Sequence, residues 1–225
     1  NFLVHPQGAA TRRVGTQHIA EVKDSSKKTR LIPFEFSTTQ TYILEFGDQY
    51  MRVYKDKGQV LSGGSAFEIS TPYLEAELFD IKYAQSADVL YICHPNHDIR
   101  KLSRTGHTSW TLAVCSITGS PSLPIAGSNN RPSCVSFFEQ RLVFANTNNN
   151  PQTLWFSKSG DYENFTTGTN ADDAMIYTIA SNQVNAIQYL KAVRTLIVGT
   201  SGGEFTVSAD GTDASITPTN VTIKR

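Results

Sequence analysis

Three histidines and a cysteine crowd one stretch of the chain: Cys93, His94, His97 and His107. Imidazole and thiolate are the ligands zinc and related cations prefer. His94-Pro95-Asn96-His97 has i, i+3 spacing, which would share one face of a helix. The Pro-Asn pair instead makes this a loop between strands. His107 lies ten residues beyond His97, after Thr105-Gly106. No second cluster completes a tetrahedral set, so these read as polar loop histidines. A second group is acidic: Asp161, Glu163, Asp172 and Asp173, beside Asn164 and Asn170. Carboxylate and amide oxygens suit calcium, but the spacing is not that of an EF-hand loop. Glycoside cleavage needs two acids facing one cleft. Ser, Gly, Asp and Asn crowded together favour tight turns, so this stretch reads as a turn. No Gly-x-Ser-x-Gly, Walker loop or dinucleotide fingerprint follows a strand. Gly199-Thr200-Ser201-Gly202-Gly203-Glu204 opens no helix and has no following Lys, so it reads as a β-turn. No catalytic, cofactor or metal residue is assigned, and the chain is not expected to be an enzyme.

The elements that position these residues are strands. Apolar residues come in short runs of β-branched and aromatic types, broken by Gly, Asn, Asp, Ser and Pro. Arg30 to Phe36 is one run, with Pro33 marking an edge or bulge. Thr41 to Phe46 and Tyr50 to Tyr54 flank a Gly-containing turn, and Lys55-Asp56-Lys57-Gly58 turns the chain into Gln59-Val60-Leu61. This predicts a three-stranded antiparallel meander, with Gly63-Gly64-Ser65 as a joint after it. Only Pro72 to Leu78 has helical character.

Behind it an internal repeat appears. Ile81-Lys82-Tyr83 leads to Leu90-Tyr91-Ile92-Cys93-His94 and then Leu102-Ser103. Val135-Ser136-Phe137-Phe138 leads to Leu142-Val143-Phe144-Ala145-Asn146 and then Phe156-Ser157. Ala186-Ile187-Gln188-Tyr189 leads to Leu196-Ile197-Val198-Gly199-Thr200 and then Val207-Ser208. Leu90, Leu142 and Leu196 are 52 and 54 residues apart. In each unit a polar pair, Ala87-Asp88, Gln140-Arg141 or Arg194-Thr195, turns into the central strand. A period near 50 with about four short strands per unit is the signature of a propeller blade. The central runs are almost continuously apolar, as in strands covered on both faces. The expected fold is all-β: β-propeller-like blades of antiparallel sheets, incomplete or irregular, with an N-terminal antiparallel meander. Residues 1–70 form the meander region and 71–225 the blade region, with repeats at about 78–115, 132–170 and 184–215. A β-sandwich is the competing arrangement. Three blades do not close a propeller, so the N-terminal strands or further chain must complete it.

Composition bounds the partners. The 225 residues carry 20 Lys plus Arg against 20 Asp plus Glu, a net charge of zero. That disfavours a basic nucleic-acid binder and an acidic tail. Hydrophobic residues are 39% and charged residues 18%, which argues for a folded core rather than disorder. No apolar run is long enough to span a membrane. No charged-then-apolar leader opens the chain, so no signal peptide is expected. Cys93, Cys115 and Cys134 are odd in number and lack CxxC spacing, so they read as free thiols in a reducing compartment. Thr11 to Arg30 holds six basic residues (Arg12, Arg13, Lys23, Lys27, Lys28 and Arg30) against Glu21 and Asp24. Ser25-Ser26-Lys27-Lys28 reads as a solvated hairpin tip, with phosphate contact as the alternative.

A family resemblance runs through nearly the whole chain. Pro6 to Thr16, Arg30 to Ser37 and Gln40 to Gly47 resemble the N-terminal part of the tail nozzle proteins of short-tailed phages, also called tail tubular protein B. Gln85 to Ile92, Phe137 to Leu142, Ser157 to Phe165 and Gly199 to Glu204 continue the match in order. Val14 departs from it, since the family has Pro in its Arg-Pro-Gly-Thr turn. The resemblance implies a structural virion protein of the phage or prophage tail, made in the host cytoplasm. It implies the front part of a longer chain that forms a six-fold ring below portal and adaptor. DNA leaves through the bore without specific binding, and the implied partners are other copies, the adaptor and other tail proteins. A charge-balanced surface would let DNA slide, because each phosphate contact adds salt-dependent affinity. No cofactor is expected. Two alternatives stand beside this. One is a β-propeller protein that binds or cleaves glycans; Trp155 to Asp161 is similar to the aspartate-box turn of sialidase blades, which is structural. The other is a general interaction module using loops such as Asn146-Thr147-Asn148-Asn149-Asn150-Pro151.

Overall fold

The computed structural model describes residues 2–119, 130–180, 183–211 and 215–225. Within these the fold is all-β, with blade-like antiparallel sheets and a single short 3-10 turn at Glu75–Glu77. An exposed hairpin, Phe2–Val4 with Ala10–Arg12, comes first. The N-terminal sheet follows: Arg30–Glu35, Thr41–Gly47 and Tyr50–Lys55 in a meander. The far edge of Tyr50–Lys55 is shared by Gly58–Gln59 and Glu68–Ser70, which makes five strands where the sequence suggested three. Pro33 lies in the edge strand, where its missing N–H costs no ladder bond. The Lys55–Gly58 turn places Asp56 and Lys57 at φ 51° and 62°, the two positive values a tight hairpin turn requires. Ser25 to Lys28 is no hairpin tip, because no strand lies between Arg12 and Arg30. An aspartate turn holds this loop, with Asp24 accepting the Ser26 N–H at 3.0 Å.

Three four-stranded sheets then follow, each an up-and-down meander. Unit 1 comprises Lys82–Ser86, Val89–His94, His97–Gly106 and Ser109–Val114. Unit 2 comprises Cys134–Phe138, Arg141–Ala145, Thr153–Phe156 and Met175–Thr178. Unit 3 comprises Ile187–Ala192, Leu196–Thr200, Gly203–Ala209 and Val221–Lys224. The fourth strands of units 2 and 3 lie past residues 170 and 215, where the sequence reading ended those repeats. Residues 212–214 of the third repeat lie outside the described residues. Two-residue turns lead into the second strands of units 1 and 2, with Ala87 at φ 47° and Glu139 and Gln140 at 45° and 58°. Arg141, read as part of a turn, begins the strand itself.

The sheets stack face to face, and alternation along each second strand divides its side chains between two neighbours. Leu90 and Ile92 pack with Ile32, Phe34, Leu44 and Val53 of the N-terminal sheet. Tyr91 and Cys93, on the opposite face, pack with Leu142, Phe144 and Trp155 of unit 2. Val143 and Ala145 then meet Leu196, Val198 and Val207 of unit 3. Leu90, Leu142 and Leu196 all sit in second strands, all are fully buried, and each faces the sheet that precedes its own. The first strands lie together at the centre. Arg30, Lys82, Tyr83, Cys134, Val135, Tyr189 and Leu190, drawn from the first strand of all four sheets, line a cavity of about 160 Å³ with Ile81. Gln85 clips the first two of these strands together, accepting from Glu35 N–H at 3.1 Å and donating to Glu35 C=O at 2.8 Å.

Candidate functional site

The most chemically versatile cluster lies where the linking segment after the N-terminal sheet meets unit 1. The 3-10 turn at Glu75–Glu77 is pinned at its start by Asp48, whose Oδ1 accepts the Glu75 N–H at 3.1 Å. Glu77 closes the turn, its Oε2 accepting the Leu74 N–H at 2.9 Å. The His94-Pro95-Asn96-His97 turn joins the second and third strands of unit 1, as its Pro-Asn pair predicts. It brings His94 and His97 to a ring separation of 5.0 Å. His97 Nε2 lies 2.8 Å from Glu77 Oε2, and one ligand atom from each of Glu77, His94 and His97 falls within 4.8 Å of the others. Tyr73 walls the site, edge-on to the His97 ring at 5.1 Å. His94 is buried, whereas Glu77 and His97 are partly open to solvent. Burial pushes the His94 imidazole below its usual pKa, and the neighbouring His97 adds to this against the carboxylates of Glu77 and Asp80 and the Glu77 backbone. Burial raises Glu77, but hydrogen bonds from Leu74, His97 and Asn96 outweigh it and hold its carboxyl below the ordinary value.

The structure separates the other candidates. His107 is apart from this cluster, its Nδ1 2.7 Å from the Tyr42 hydroxyl. Cys93 points into the core against unit 2. All three cysteines are buried and free, and burial raises their pKa, that of Cys115 to about 12. The acidic group splits: Asp173, Asp172 and Asp161 gather round the Lys158 ammonium and favour its charged form, and Glu163 binds elsewhere. Glu163 pairs with Lys101 and accepts from Tyr91. Asp173 pairs with Lys158 at 2.9 Å. Asp161 and Asp172 make backbone turn contacts with Lys158 and Ser159. Gly199 to Glu204 forms the hairpin between the second and third strands of unit 3. The Asn146–Pro151 loop is tied down through reciprocal bonds between Thr147 and Asn150 and by Pro151 C=O, which accepts the Ile187 N–H at 3.0 Å. In the basic stretch, Lys23 pairs with Glu68 at 2.5 Å, Lys27 pairs with Asp48, and Arg30 donates to the Leu78 and Ile81 carbonyls.

Three features escaped sequence reasoning. Glu77 joins the histidines from 17 residues away along the chain, with no local pattern to announce it. Arg141 is buried, and its guanidinium donates to the carbonyls of Ser157 (2.8 Å), Ala171 (2.6 Å) and Asp173 (2.7 Å). It thereby clamps the loop before the fourth strand of unit 2 onto the second. The outer face of the N-terminal sheet carries a groove of about 620 Å³ lined by Ile19, Val22, Leu31, Ile43 and Tyr54. Leu31 there is 63% exposed. Glu45 lies buried at its floor, where it accepts from the Tyr50 hydroxyl at 2.6 Å and the Tyr54 hydroxyl at 2.5 Å. Burial and then this carboxylate push the Tyr54 phenol up to about 12. No family model matches the chain, and no curated protein matches it.

Proposed function

We propose that the chain is a structural subunit of a phage or prophage tail, the front part of a nozzle protein whose ring surrounds ejected DNA. The observation that carries an assembly role is the apolar outer face of the N-terminal sheet, with Leu31 at 63%, Ile43 at 40% and Ile19 at 41% exposure. A contiguous apolar groove rimmed by Lys55, Asp56 and Lys57 is the kind of surface a subunit contact covers. A ring subunit needs such a face against its neighbour. The in-order resemblance to tail nozzle proteins supplies the particular assembly. The balanced charge agrees with a bore that lets DNA pass, and the ion pairs of Lys23 and Lys27 remove free cations from the basic stretch.

Native mass spectrometry on the chain, and on a longer open reading frame containing it, tests the reading. The chain alone is expected to be monomeric or weakly associating, the longer protein a ring that Leu31→Asp with Ile43→Asp disrupts without loss of β-sheet circular dichroism. A ring indifferent to both substitutions, or a longer protein that stays monomeric, would overturn it. DNA binding by the chain, read by fluorescence polarisation at physiological salt, is expected to be weak; tight binding would remove the sliding-bore argument.

A further inference from the structure

We propose that Glu77, His94 and His97 form a binding site for a divalent cation of borderline softness, of which Zn²⁺ is the representative. Two imidazoles and one carboxylate are the donor set such cations select over the all-oxygen shells of magnesium and calcium. Tetrahedral zinc with bonds near 2.0 Å sets its ligand atoms roughly 3.3 Å apart. The three ligand atoms here lie within 4.8 Å of one another, so closing the set asks each pair to approach by about 1.5 Å or less. Three protein ligands leave a fourth position on the side where Glu77 and His97 are open to solvent, which is also the entry path. The surroundings are those of a supported site. Leu74 N–H and Asn96 Nδ2 hold the Glu77 carboxylate, at 2.9 and 3.4 Å, and Tyr73 shields the rings.

His94 supplies the second observation. Its Nδ1 accepts the Asn96 N–H at 3.1 Å, while its Nε2, buried, makes no hydrogen bond of ordinary geometry among the described residues, although the Glu77 backbone lies close enough to the ring to favour its protonated form. A buried imidazole nitrogen without a partner is costly, and ligation through Nε2 gives the ring the interaction it lacks. It also has a consequence that a surface cation would not produce. A neutral imidazole that ligates through one nitrogen carries its proton on the other. Through Nε2, the ring needs Nδ1 protonated; through Nδ1, it needs that lone pair for the metal. Either way the Asn96 amide must release Nδ1. The cation would then join the linking segment of the N-terminal sheet to the hairpin of unit 1.

The test titrates Zn²⁺ into the chelator-treated chain, with calorimetry for stoichiometry and ¹H–¹⁵N NMR for the Asn96 amide. One ion per chain is expected, with a shift of the Asn96 resonance and no displacement by excess Mg²⁺. Glu77→Gln and His97→Gln, both at partly exposed positions that leave the core intact, are each expected to weaken binding about tenfold or more. Absence of zinc uptake, uptake that both variants leave unchanged, or an Asn96 amide that stays in place on binding would each overturn the site.

Discussion

If the stack is built by repetition, truncating its three matching leucines must cost similar amounts at three different interfaces. Leu90, Leu142 and Leu196 are each fully buried. Leu→Ala removes three carbons from each, worth about 2.4 kcal/mol at ~0.8 kcal/mol per buried carbon. The residual cavity raises this toward the ~2.7–5 kcal/mol typical of such sites. Leu61→Ala, at a position 54% exposed, should cost under ~0.5 kcal/mol and serves as the control. Urea unfolding reads the loss as a shift in midpoint at constant slope. The two tryptophans give the experiment spatial resolution. Trp110 lies in the core between the N-terminal sheet and unit 1, and Trp155 in the core between units 1 and 2. Leu90→Ala should therefore perturb native Trp110 emission, read in a Trp155→Phe background, and Leu142→Ala that of Trp155, read in a Trp110→Phe background. Leu196→Ala should lower stability while leaving both native signals in place. A cost under about 1 kcal/mol at Leu196, with full cost at the other two, would refute the claim that all three positions are equivalent.

Two further perturbations probe devices particular to this chain. Arg141→Ala leaves the Ser157, Ala171 and Asp173 carbonyls without their donor and should cost at least about 3 kcal/mol in a urea midpoint measurement, with Arg141→Lys restoring less than half, because one ammonium cannot span carbonyls a guanidinium reaches together. Gly199→Ala puts a Cβ into the Tyr189 ring, which crosses over it to donate its hydroxyl to Glu204 at 2.7 Å; the change should cost about 1–3 kcal/mol, and most of that cost should vanish in a Tyr189→Ala background in a double-mutant cycle.

What the sequence discloses follows from which forces are local. The runs at Leu90, Leu142 and Leu196 are legible because a strand covered on both faces must be apolar at successive positions. The Lys55–Gly58 turn is legible because hairpin turns select their residues through backbone sterics. The fourth strands at Met175–Thr178 and Val221–Lys224 were missed because a long polar stretch of sequence precedes each, and the Asn, Asp and Gly of 160–173 look like the end of a unit. Arg141 misled because a charged residue at a strand start reads as turn, whereas its burial rests on carbonyls up to 32 residues away. The cluster at His94 was half visible: the histidines announce themselves by spacing, but Glu77 arrives through tertiary packing of a 3-10 turn that has no periodicity. Ser25 to Lys28 was mistaken for a hairpin because turn-forming residues mark a turn without saying that strands flank it.

That each of the three leucines looks back toward the preceding sheet gives the stack a direction. A whole fifty-residue module spliced in after unit 2 would present a front matched to what lies behind it and a back matched to what comes next. Removing half a module would instead leave two unmatched surfaces. Growth or shortening of such a chain by entire modules is thus the route that keeps every layer sealed.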